Sequence, residues 1–388
     1  MTNYLRTSER NLFKRCQWAW ERNYIDQIEP GQRHSLALWF GTGIHLALEK
    51  WYVPGTKRGV PLVDTWNAYC DEAESDTMYI NTYMEGDFSE SVEARELGIG
   101  MLKAYLEEYG EEPWKEIISP EQTFQVEVPH YEWEDRGFEE GDTENNWPIY
   151  GRSISKTTYV GTFDLVYRDT RDGKLYLEDH KTAKALGSSN TQYLPMDDQA
   201  GAYWAFAVKV LRDQGLIGPK EFLEGIVYNY LVKSKPDERP RNKDGYATNK
   251  PQKKHFVEAL TEAGIESDKP LDKLTVGKLE SIAEEHGIPV FGEVSSRQPT
   301  KAFDRVIVRK SPRQQINQYR RIADDLEHMS LVRNNLLKAT KTPTRECGFC
   351  SFRDLCEIDE AGKDYTDMKE MLYKNWDPYA AHREEDAE

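Results

Sequence analysis

Two acidic residues and a lysine lie on segments that the sequence predicts to form an antiparallel β-hairpin. Residues 157–167 and 174–182 are rich in β-branched and aromatic residues, and a short Asp- and Gly-containing turn separates them. Asp164 is on the first segment, and Asp179 and Lys181 share one face of the second. Two adjacent carboxylates repel each other, and a divalent cation relieves that repulsion. With a lysine to hold a water or stabilise an oxyanion, the set suits hydrolysis of a phosphodiester. An isolated D-x-K is more often a surface ion pair.

Three further polar side chains could complete such a site. His45 falls in a predicted helix, where it is either an ordinary helix histidine or, as a neutral imidazole, a metal ligand. Gln199 and Tyr203 are four residues apart in another predicted helix and therefore share one face. This pair either contacts the substrate backbone or orders Lys181, and the alternative for Tyr203 is a place in the hydrophobic core.

The chain has five cysteines, an odd number that does not suggest a disulfide framework. Three form the pattern Cys347-x2-Cys350-x5-Cys356, and Cys16 could supply a fourth ligand from the opposite end of the chain. Such a set would join the first helix to the last segment around one metal or cluster. Buried free thiols are one alternative and structural Zn²⁺ is another, although zinc ribbons usually have two C-x-x-C knuckles and this chain has one.

The order of these motifs resembles the RecB-like branch of the PD-(D/E)XK nucleases. The matching segments are Gly41–His45, Gly161–Asp164, Asp179–Thr182 and Gln199–Tyr203. An extra glycine, Gly43, interrupts the first of these motifs.

The resemblance implies residue roles that spacing alone does not establish. It implies a site for Mg²⁺ or Mn²⁺ whose ligands are three side chains and a backbone carbonyl: His45, Asp164, Asp179 and the carbonyl of His180. It also implies that Lys181 is catalytic and that the helix with Gln199 and Tyr203 faces DNA. Glu127, on a predicted strand, resembles an additional acid that some members place upstream, and the alternative is an exposed strand residue.

The cysteine pattern has a resemblance of its own. One distant cysteine followed by C-x2-C-x5-C is similar to the iron–sulfur nucleases related to RecB, which include the CRISPR-associated RecB-like exonuclease and the AddB nuclease domain. The resemblance implies a [4Fe–4S] cluster held by Cys16, Cys347, Cys350 and Cys356. In these relatives the cluster is structural, so we expect no redox catalysis.

The charge distribution bears on the partners of the chain. The 388 residues carry a formal net charge of −17, which is unlike a non-specific polyanion binder. Residues 233–254 nevertheless contain eight Lys and Arg against three acids, and residues 301–321 contain seven against one. With aromatic residues such as Tyr246, these stretches predict either a groove for single-stranded DNA or a solvated surface. No P-loop motif is present, so we expect a helicase or a single-strand annealing protein to be a separate partner.

The hydropathy of the sequence indicates in which cellular compartment the protein is expected. No apolar run approaches the roughly 18–20 residues that span a bilayer, and the N-terminal segment has no apolar signal region. We therefore expect a cytoplasmic protein without a membrane partner, in the cytoplasm of a bacterial host if a phage encodes it.

We expect an α/β fold like that of restriction endonucleases, with a mixed central sheet, flanking helices, a helical N-terminal part and a C-terminal cysteine cluster. The predicted segments are 1–120, a helical part carrying Cys16 and His45; 121–233, the nuclease core; 234–302, an insertion with a basic loop and short helices; and 303–388, a return strand, a long helix and the iron–sulfur segment.

Some local features are predicted in more detail. The first helix should be capped by Thr7 or Ser8 and run to about Tyr24, and the second should start after Gly43. The acidic segment 132–148 is predicted to be a loop.

Together the motifs predict a metal-dependent deoxyribonuclease, specifically an exonuclease that acts on DNA ends in recombination or repair. The alternative is a non-catalytic iron–sulfur scaffold that binds DNA or a recombination partner and keeps the fold. The intact set of Asp164, Asp179 and Lys181 favours the enzyme.

Overall fold

The computed structural model describes residues 3–31, 36–75, 88–138 and 148–385. The strands are β1 (Tyr4–Leu5), β2 (Ile28–Pro30), β3 (Lys115–Phe138), β4 (Pro148–Asp169), β5 (Lys174–Ala183), β6 (Leu223–Val232), β7 (Phe303–Val308) and β8 (Tyr373–Asn375). The α-helices are α1 (Thr7–Arg15), α2 (Gln17–Trp20), α3 (Leu36–Trp51), α4 (Leu62–Ser75), α5 (Phe88–Tyr109), α6 (Ser188–Thr191), α7 (Asp198–Asp213), α8 (Lys253–Glu262), α9 (Val276–Glu285), α10 (Pro312–Arg333), α11 (Arg353–Glu360), α12 (Thr366–Leu372) and α13 (Ala380–Glu385). Among these described helices, none combines the length and the apolar character that crossing a membrane requires.

The chain divides into two units, residues 1–233 with 303–388 and residues 234–302. In the described part of the larger unit, six strands form a mixed sheet in the order β1-β4-β5-β6-β7, with β3 also paired to β4. The pairs β1–β4 and β5–β6 are parallel, and the other pairs in this sheet are antiparallel. A mixed sheet with helices around it confirms the predicted α/β fold class.

Apolar side chains explain why helices cover both faces of this sheet. On one face, Phe163 of β4 and Leu177 of β5 belong to a buried cluster with Phe206 of α7 and Leu326 of α10. On the other face, α3 packs against β4 and β5, and α5 packs against β6. The strands β5 and β6 are therefore buried on both sides, as is usual for parallel pairs.

The first helix is shorter than predicted and lacks the predicted cap. Helix α1 ends at Arg15 because Cys16 is extended, with φ −162° and ψ 108°, and α2 follows it directly. The residue that precedes α1 is Arg6, and its side chain makes no capping hydrogen bond. The predicted Thr7 or Ser8 cap was therefore wrong, and so was the prediction of one unbroken helix. Helical structure nevertheless resumes after Cys16 and continues as a π-helix over Glu21–Ile25, which confirms the predicted end near Tyr24.

The second helix already contains Gly41 and Gly43, so the prediction that it starts after Gly43 was also wrong. A Cβ added to Gly43 would lie 2.5–2.6 Å from the rings of Tyr69 and Trp66 on α4. A Cβ added to Gly41 would lie 3.4 Å from Oγ1 of Thr182. These glycines permit close packing of α3 and do not break it.

The acidic segment 132–148 is not wholly a loop. Strands β3 and β4 stay paired up to Phe138 and Pro148, and residues 139–147 lie outside the described residues. Trp133 fixes this end of the ladder, because its indole donates to Glu327 over 2.8 Å and its carbonyl accepts from Asn334 over 2.6 Å. Both partners lie at or near the end of α10. Packing against this helix therefore keeps the segment in strand conformation despite its many acidic residues.

The smaller unit, residues 234–302, has a hydrophobic core of its own. Phe256 and Leu260 of α8 pack against Leu279 and Ile282 of α9. An extended basic segment precedes α8, and it is tied by isolated bridges instead of belonging to a sheet.

Candidate functional site

The two predicted carboxylates lie where β4 and β5 separate. The pairing of these strands ends at Leu165 and Glu178, and Asp164 and Asp179 are the next residues in register beyond it. In place of a further ladder bond, the backbone N–H of His180 donates to Oδ2 of Asp164 over 2.8 Å. The hairpin was predicted correctly, and its opening leaves room between the two acids.

Three side chains converge beside this opening. Among the described residues, ligand atoms of His45, Glu121 and Asp164 all lie within 4.8 Å of one another. His45 Nδ1 is 3.4 Å from Oδ2 of Asp164 and 4.0 Å from Oε1 of Glu121. Asp179, a predicted ligand, does not belong to this group of three and is instead engaged by Lys181.

Glu121 takes the position that the sequence analysis assigned to Glu127. Glu121 lies in β3 opposite Asp164, between the pairs Pro120–Leu165 and Gln122–Phe163, and its φ of +40° interrupts the regular ladder. Glu127 is exposed and pairs with Lys156 over 2.8 Å. The prediction of Glu127 as the additional acid was therefore wrong, because side-chain direction depends on this irregularity in β3.

A chain of hydrogen bonds holds the predicted lysine. Lys181 Nζ lies 2.7 Å from Oδ2 of Asp179 and donates to Oε1 of Gln199 over 2.9 Å. The amide nitrogen of Gln199 lies 3.0 Å from Oδ1 of Asp179 and 2.8 Å from the hydroxyl of Tyr203. That hydroxyl donates to the carbonyl of Thr162 over 2.6 Å. Tyr203 is buried in the core, so Gln199 and Tyr203 order Lys181 in this structure.

His180 contributes its backbone to the site and its ring to the interior. The backbone of His180 adjoins the ring of His45, and this contact partly offsets the lowering of the pKa of His45 by burial. Because the N–H of His180 also donates to Asp164, the backbone of His180 lies beside two of the three convergent side chains. The buried imidazole of His180 lies 3.0 Å from the side-chain amide of Asn229 and stacks on Tyr52.

The electrostatics of the site favour a bound cation. Burial, followed by the charges of Asp179 and Glu121, raises the pKa of Asp164 well above its ordinary value. Burial, followed by Glu49 and Asp179, raises the pKa of Glu121 to about 7. Burial lowers the pKa of His45, so its ring is neutral and able to ligate. A donor set of one imidazole, carboxylates and a carbonyl fits Mn²⁺ or Mg²⁺.

A groove of about 690 Å³ opens over these residues. Helix α3 forms one wall with Leu38, Thr42 and Glu49, and the other lining residues include Lys181 and Thr182. Glu49 is one helical turn after His45 and adds another carboxylate to the groove. The sequence analysis missed both Glu49 and Glu121, although the i, i+4 spacing of Glu49 from His45 was a usable signal.

Glu178, the neighbour of Asp179, belongs to a different environment. It is fully buried, and Lys115 donates to it over 2.7 Å. Arg305 pairs with Glu112, and its guanidinium also lies 3.8 Å from Glu178. We call this set of Glu112, Lys115, Glu178 and Arg305 the buried ion network. Arg305 was assigned from sequence to a basic stretch available to DNA, and the structure places it inside the protein instead.

The four cysteines line one cavity of about 360 Å³. Cys16 enters at the break between α1 and α2, and the other three come from the segment around α11, residues 347, 350 and 356. Burial raises the pKa of Cys356, and the other three cysteines add to this effect. Cys70 is buried in α4 and does not line the cavity.

The spacing of the thiols is wide. Among the described residues, no three of the cysteine Sγ atoms lie within 4.8 Å of one another. Tetrahedral Zn²⁺ with Zn–S bonds of about 2.3 Å requires sulfurs roughly 3.8 Å apart. A single zinc ion would therefore need the thiols to move closer together.

Comparison with known proteins agrees with the geometry. The family model described as the PD-(D/E)XK nuclease superfamily matches residues 7–357, nearly the whole chain. No curated protein is similar enough to count as a match.

Proposed function

The chain belongs to the PD-(D/E)XK nuclease superfamily, and from this premise we propose that it is a Mg²⁺- or Mn²⁺-dependent deoxyribonuclease that degrades DNA from its ends. The observation that carries the proposal is the meeting of His45, Glu121 and Asp164 next to Lys181. The preference for ends, and a role in recombination or repair, are supported by the order of motifs that the chain has in common with RecB-like nucleases.

The residues around the opening have complementary roles in the proposed reaction. His45, Glu121, Asp164 and the carbonyl of His180 would hold the cation, which would polarise a phosphate and acidify a water when bound. Burial alone would lower the pKa of Lys181, but Asp179 and then Asp164 outweigh burial and raise it. Lys181 is therefore an ammonium at neutral pH, able to orient the attacking water and to stabilise charge that develops on the phosphoryl oxygens.

Asp179 and Gln199 fix the position of that ammonium. Each contacts Lys181, and Gln199 also bridges to Asp179 and Tyr203. Because Asp179 is almost fully buried and engaged in these contacts, we propose that it orients Lys181 in the state without cation and turns toward the cation when one binds.

We further propose that the four-cysteine cavity holds a structural [4Fe–4S] cluster. The support is the convergence of Cys16, Cys347, Cys350 and Cys356 and the wide separation of their sulfurs. Fe–S clusters are commonly held by four thiolates. A colourless preparation that contains stoichiometric zinc and no iron would contradict this assignment.

The activity is tested with protein purified without oxygen and with DNA labelled at the 5′ or the 3′ end. We expect Asp164→Asn and Lys181→Ala to reduce cleavage by at least about 100-fold. Glu127→Gln is the matched control, because it removes one carboxylate from an exposed position outside the site, and it should cleave as the wild type does.

The same assay separates exonuclease from endonuclease action. Circular single strands should resist the enzyme, whereas linear strands of the same sequence should be degraded. Cleavage of circles would restrict the proposal to a nuclease without preference for ends. Equal cleavage by the wild type and Lys181→Ala would overturn the site itself.

A further inference from the structure

The smaller unit differs from the rest of the chain in charge. Residues 234–302 contain twelve Lys and Arg against twelve Asp and Glu, so the whole net charge of −17 resides in the larger unit. Residues 234–252, which precede α8, contain five Lys and Arg against three acids, so this segment carries a net positive charge. This is the part of the chain from which a polyanion is least repelled.

Within this segment, residues 241–250 form an ordered structure that we call the basic turn. Arg241 and Ala247 pair across it, and the backbone N–H of Gly245, with φ +84°, donates to the carbonyl of Asn242 over 2.9 Å. The side-chain oxygen of Asn242 accepts from the N–H of Tyr246, also over 2.9 Å. These bonds hold the backbone of Tyr246 in one conformation.

The base of the basic turn is fixed to the end of the same unit. Thr248 pairs with Val294, and the N–H of Asn249 donates to the carbonyl of Glu293 over 2.9 Å. The side chain of Gln298 hydrogen-bonds both the N–H and the carbonyl of Ala247, over 2.8 and 3.0 Å. A segment that composition suggests to be a mobile loop is thus held in place, which lowers the entropic cost of binding a ligand there.

The charged and aromatic side chains that the basic turn exposes are three cations, one acid, Asp244, and the ring of Tyr246. Tyr246 is 53% exposed, although burial would be favourable for so large an apolar surface. Arg241, Lys243 and Lys250 are exposed, and in the described part of the chain no acidic group lies within ion-pair distance of them. By contrast, Arg239 and Lys254 beside them are neutralised by Asp237 and Glu293. Arg241 also interacts with the charge of Asp237, so the turn keeps an excess of positive charge and is not free of acids. An excess of cations around an exposed ring matches a phosphate backbone with accessible bases.

We propose that the basic turn is a binding site for single-stranded DNA, in which Tyr246 stacks on a base and Arg241, Lys243 and Lys250 contact phosphates. The choice of DNA as the polyanion rests on the proposed function. The turn is tethered to the larger unit through residues 233–234 and 302–303, so a strand bound by it has a raised effective concentration at the nuclease.

The experiment measures binding of the full chain to a fluorescent oligothymidylate by anisotropy, without divalent cation so that no cleavage occurs. We expect the triple variant Arg241→Ser/Lys243→Ser/Lys250→Ser to bind more weakly and to lower the slope of log affinity against log salt by about 2. The triple variant Lys269→Ser/Lys273→Ser/Lys278→Ser removes the same charge from the same unit outside the turn. It should keep the wild-type slope.

Stacking is tested separately from charge. We expect Tyr246→Ala to weaken binding by roughly 5- to 100-fold and Tyr246→Phe, which keeps the ring, to bind within about twofold of the wild type. On a duplex oligonucleotide the effect of Tyr246→Ala should be much smaller, because paired bases are already stacked. Circular dichroism melting of each variant shows whether the unit remains folded.

The outcomes distinguish this site from the nuclease. The binding site is overturned if the turn variants keep the wild-type affinity and salt dependence. It is also overturned if the wild type does not bind the oligonucleotide. Both conclusions hold whatever the enzyme cleaves. Equal effects of Tyr246→Ala on single strands and duplex would overturn the stacking. A wild type that binds through the turn but never cleaves with Mg²⁺ or Mn²⁺ would overturn only the proposed function.

Discussion

At the scale of single residues, the metal-binding group depends on which acid points into the opening between β4 and β5. Glu121 does so because its backbone departs from the regular strand, whereas Glu127 on the same strand points to solvent and pairs with Lys156. Burial and then neighbouring carboxylates raise the pKa of both Glu121 and Asp164, and a cation can relieve the repulsion among these acids. Binding of the cation should therefore be linked to proton release.

The first prediction concerns pH. The pKa of Glu121 is about 7 and its ordinary value is 4.5, so protons compete with the cation as the pH falls through 7. We expect Mn²⁺ affinity, measured by calorimetry, to rise by up to about tenfold per unit between pH 6 and 7 and to level off above pH 8. Glu121→Gln should weaken binding and flatten this dependence. Equal affinities at pH 6 and pH 8 in the wild type would contradict the assignment.

The same shift affects the stability of the cation-free protein. The folded-state pKa of Glu121 lies above the unfolded value, so its contribution to stability is present below pH 4.5 and is lost as the pH rises through 7. Added Mn²⁺ should restore stability above pH 7, because it binds the ionised, folded form.

The second prediction concerns the positioning of Lys181. Gln199→Leu removes the three amide contacts, to Lys181, Asp179 and Tyr203, and leaves the ion pair of Lys181 with Asp179. We expect kcat to fall by about 10- to 100-fold, because the ammonium loses its fixed direction, while Mn²⁺ affinity is nearly unchanged. Gln214→Leu, at the exposed end of the same helix, is the control. An unchanged kcat in Gln199→Leu would show that Asp179 alone positions the lysine.

At the scale of elements, strand β5 serves two environments with alternate residues. Asp179 and Lys181 point toward α7, while Glu178 and the ring of His180 point into the interior among Lys115, Arg305 and Tyr52. The buried ion network therefore supports the strand from behind. Burial opposes ionisation, but Lys115 and Arg305 together lower the pKa of Glu112 to about 2, so Glu112 is ionised at neutral pH.

The third prediction tests that network. Lys115→Met leaves a buried carboxylate without its cation and should cost about 3–5 kcal/mol in the free energy of unfolding, measured with urea. Lys115→Met/Glu178→Leu removes a cation and an anion together and should cost less than the single change. Lys156→Met breaks an exposed pair with Glu127, which water and salt screen, and should cost far less than Lys115→Met. If Lys115→Met and Lys156→Met lowered the free energy of unfolding by similar amounts, the buried ion network would contribute no more to stability than an exposed ion pair.

At the scale of the whole molecule, the N-terminal and C-terminal segments of the chain meet within the larger unit. Strand β2 pairs with β8, so that Ile28 lies opposite Asn375. Cys16 joins three cysteines of the C-terminal segment in one cavity. Contacts that close so long a loop stabilise the fold only if each end is held in place, and a bound cluster would do this for the cysteines.

The fourth prediction follows from this closure. Cys16→Ser should lose most of the bound iron, measured per protein chain, and should lower the Tm by at least about 5 °C. Cys70→Ser also removes a thiol but should retain the iron, since Cys70 does not line the cavity. Full iron content in Cys16→Ser would exclude Cys16 as a ligand.

Much of the site could be predicted from sequence because its signals are local. The alternation of side chains on β5 and the short turn before it place Asp179 and Lys181 on one face and bring Asp164 opposite. The four-residue spacing of Gln199 and Tyr203 likewise establishes a common face on α7. Such patterns depend only on backbone geometry within a few residues.

The remaining features depend on contacts between distant segments, which no local pattern encodes. Glu121 enters the site through an irregularity in the β3–β4 ladder, and Lys115 and Arg305 find Glu178 only after three strands have assembled. Gly43 is accommodated inside α3, where the absence of a side chain lets two aromatic rings of α4 pack against the helix backbone. The amino-acid sequence alone thus determined which chemical groups the hairpin and the cysteine motif carry. Tertiary structure decided which of the many acids and cations lie beside those groups, because burial and strand register bring together residues far apart in the chain.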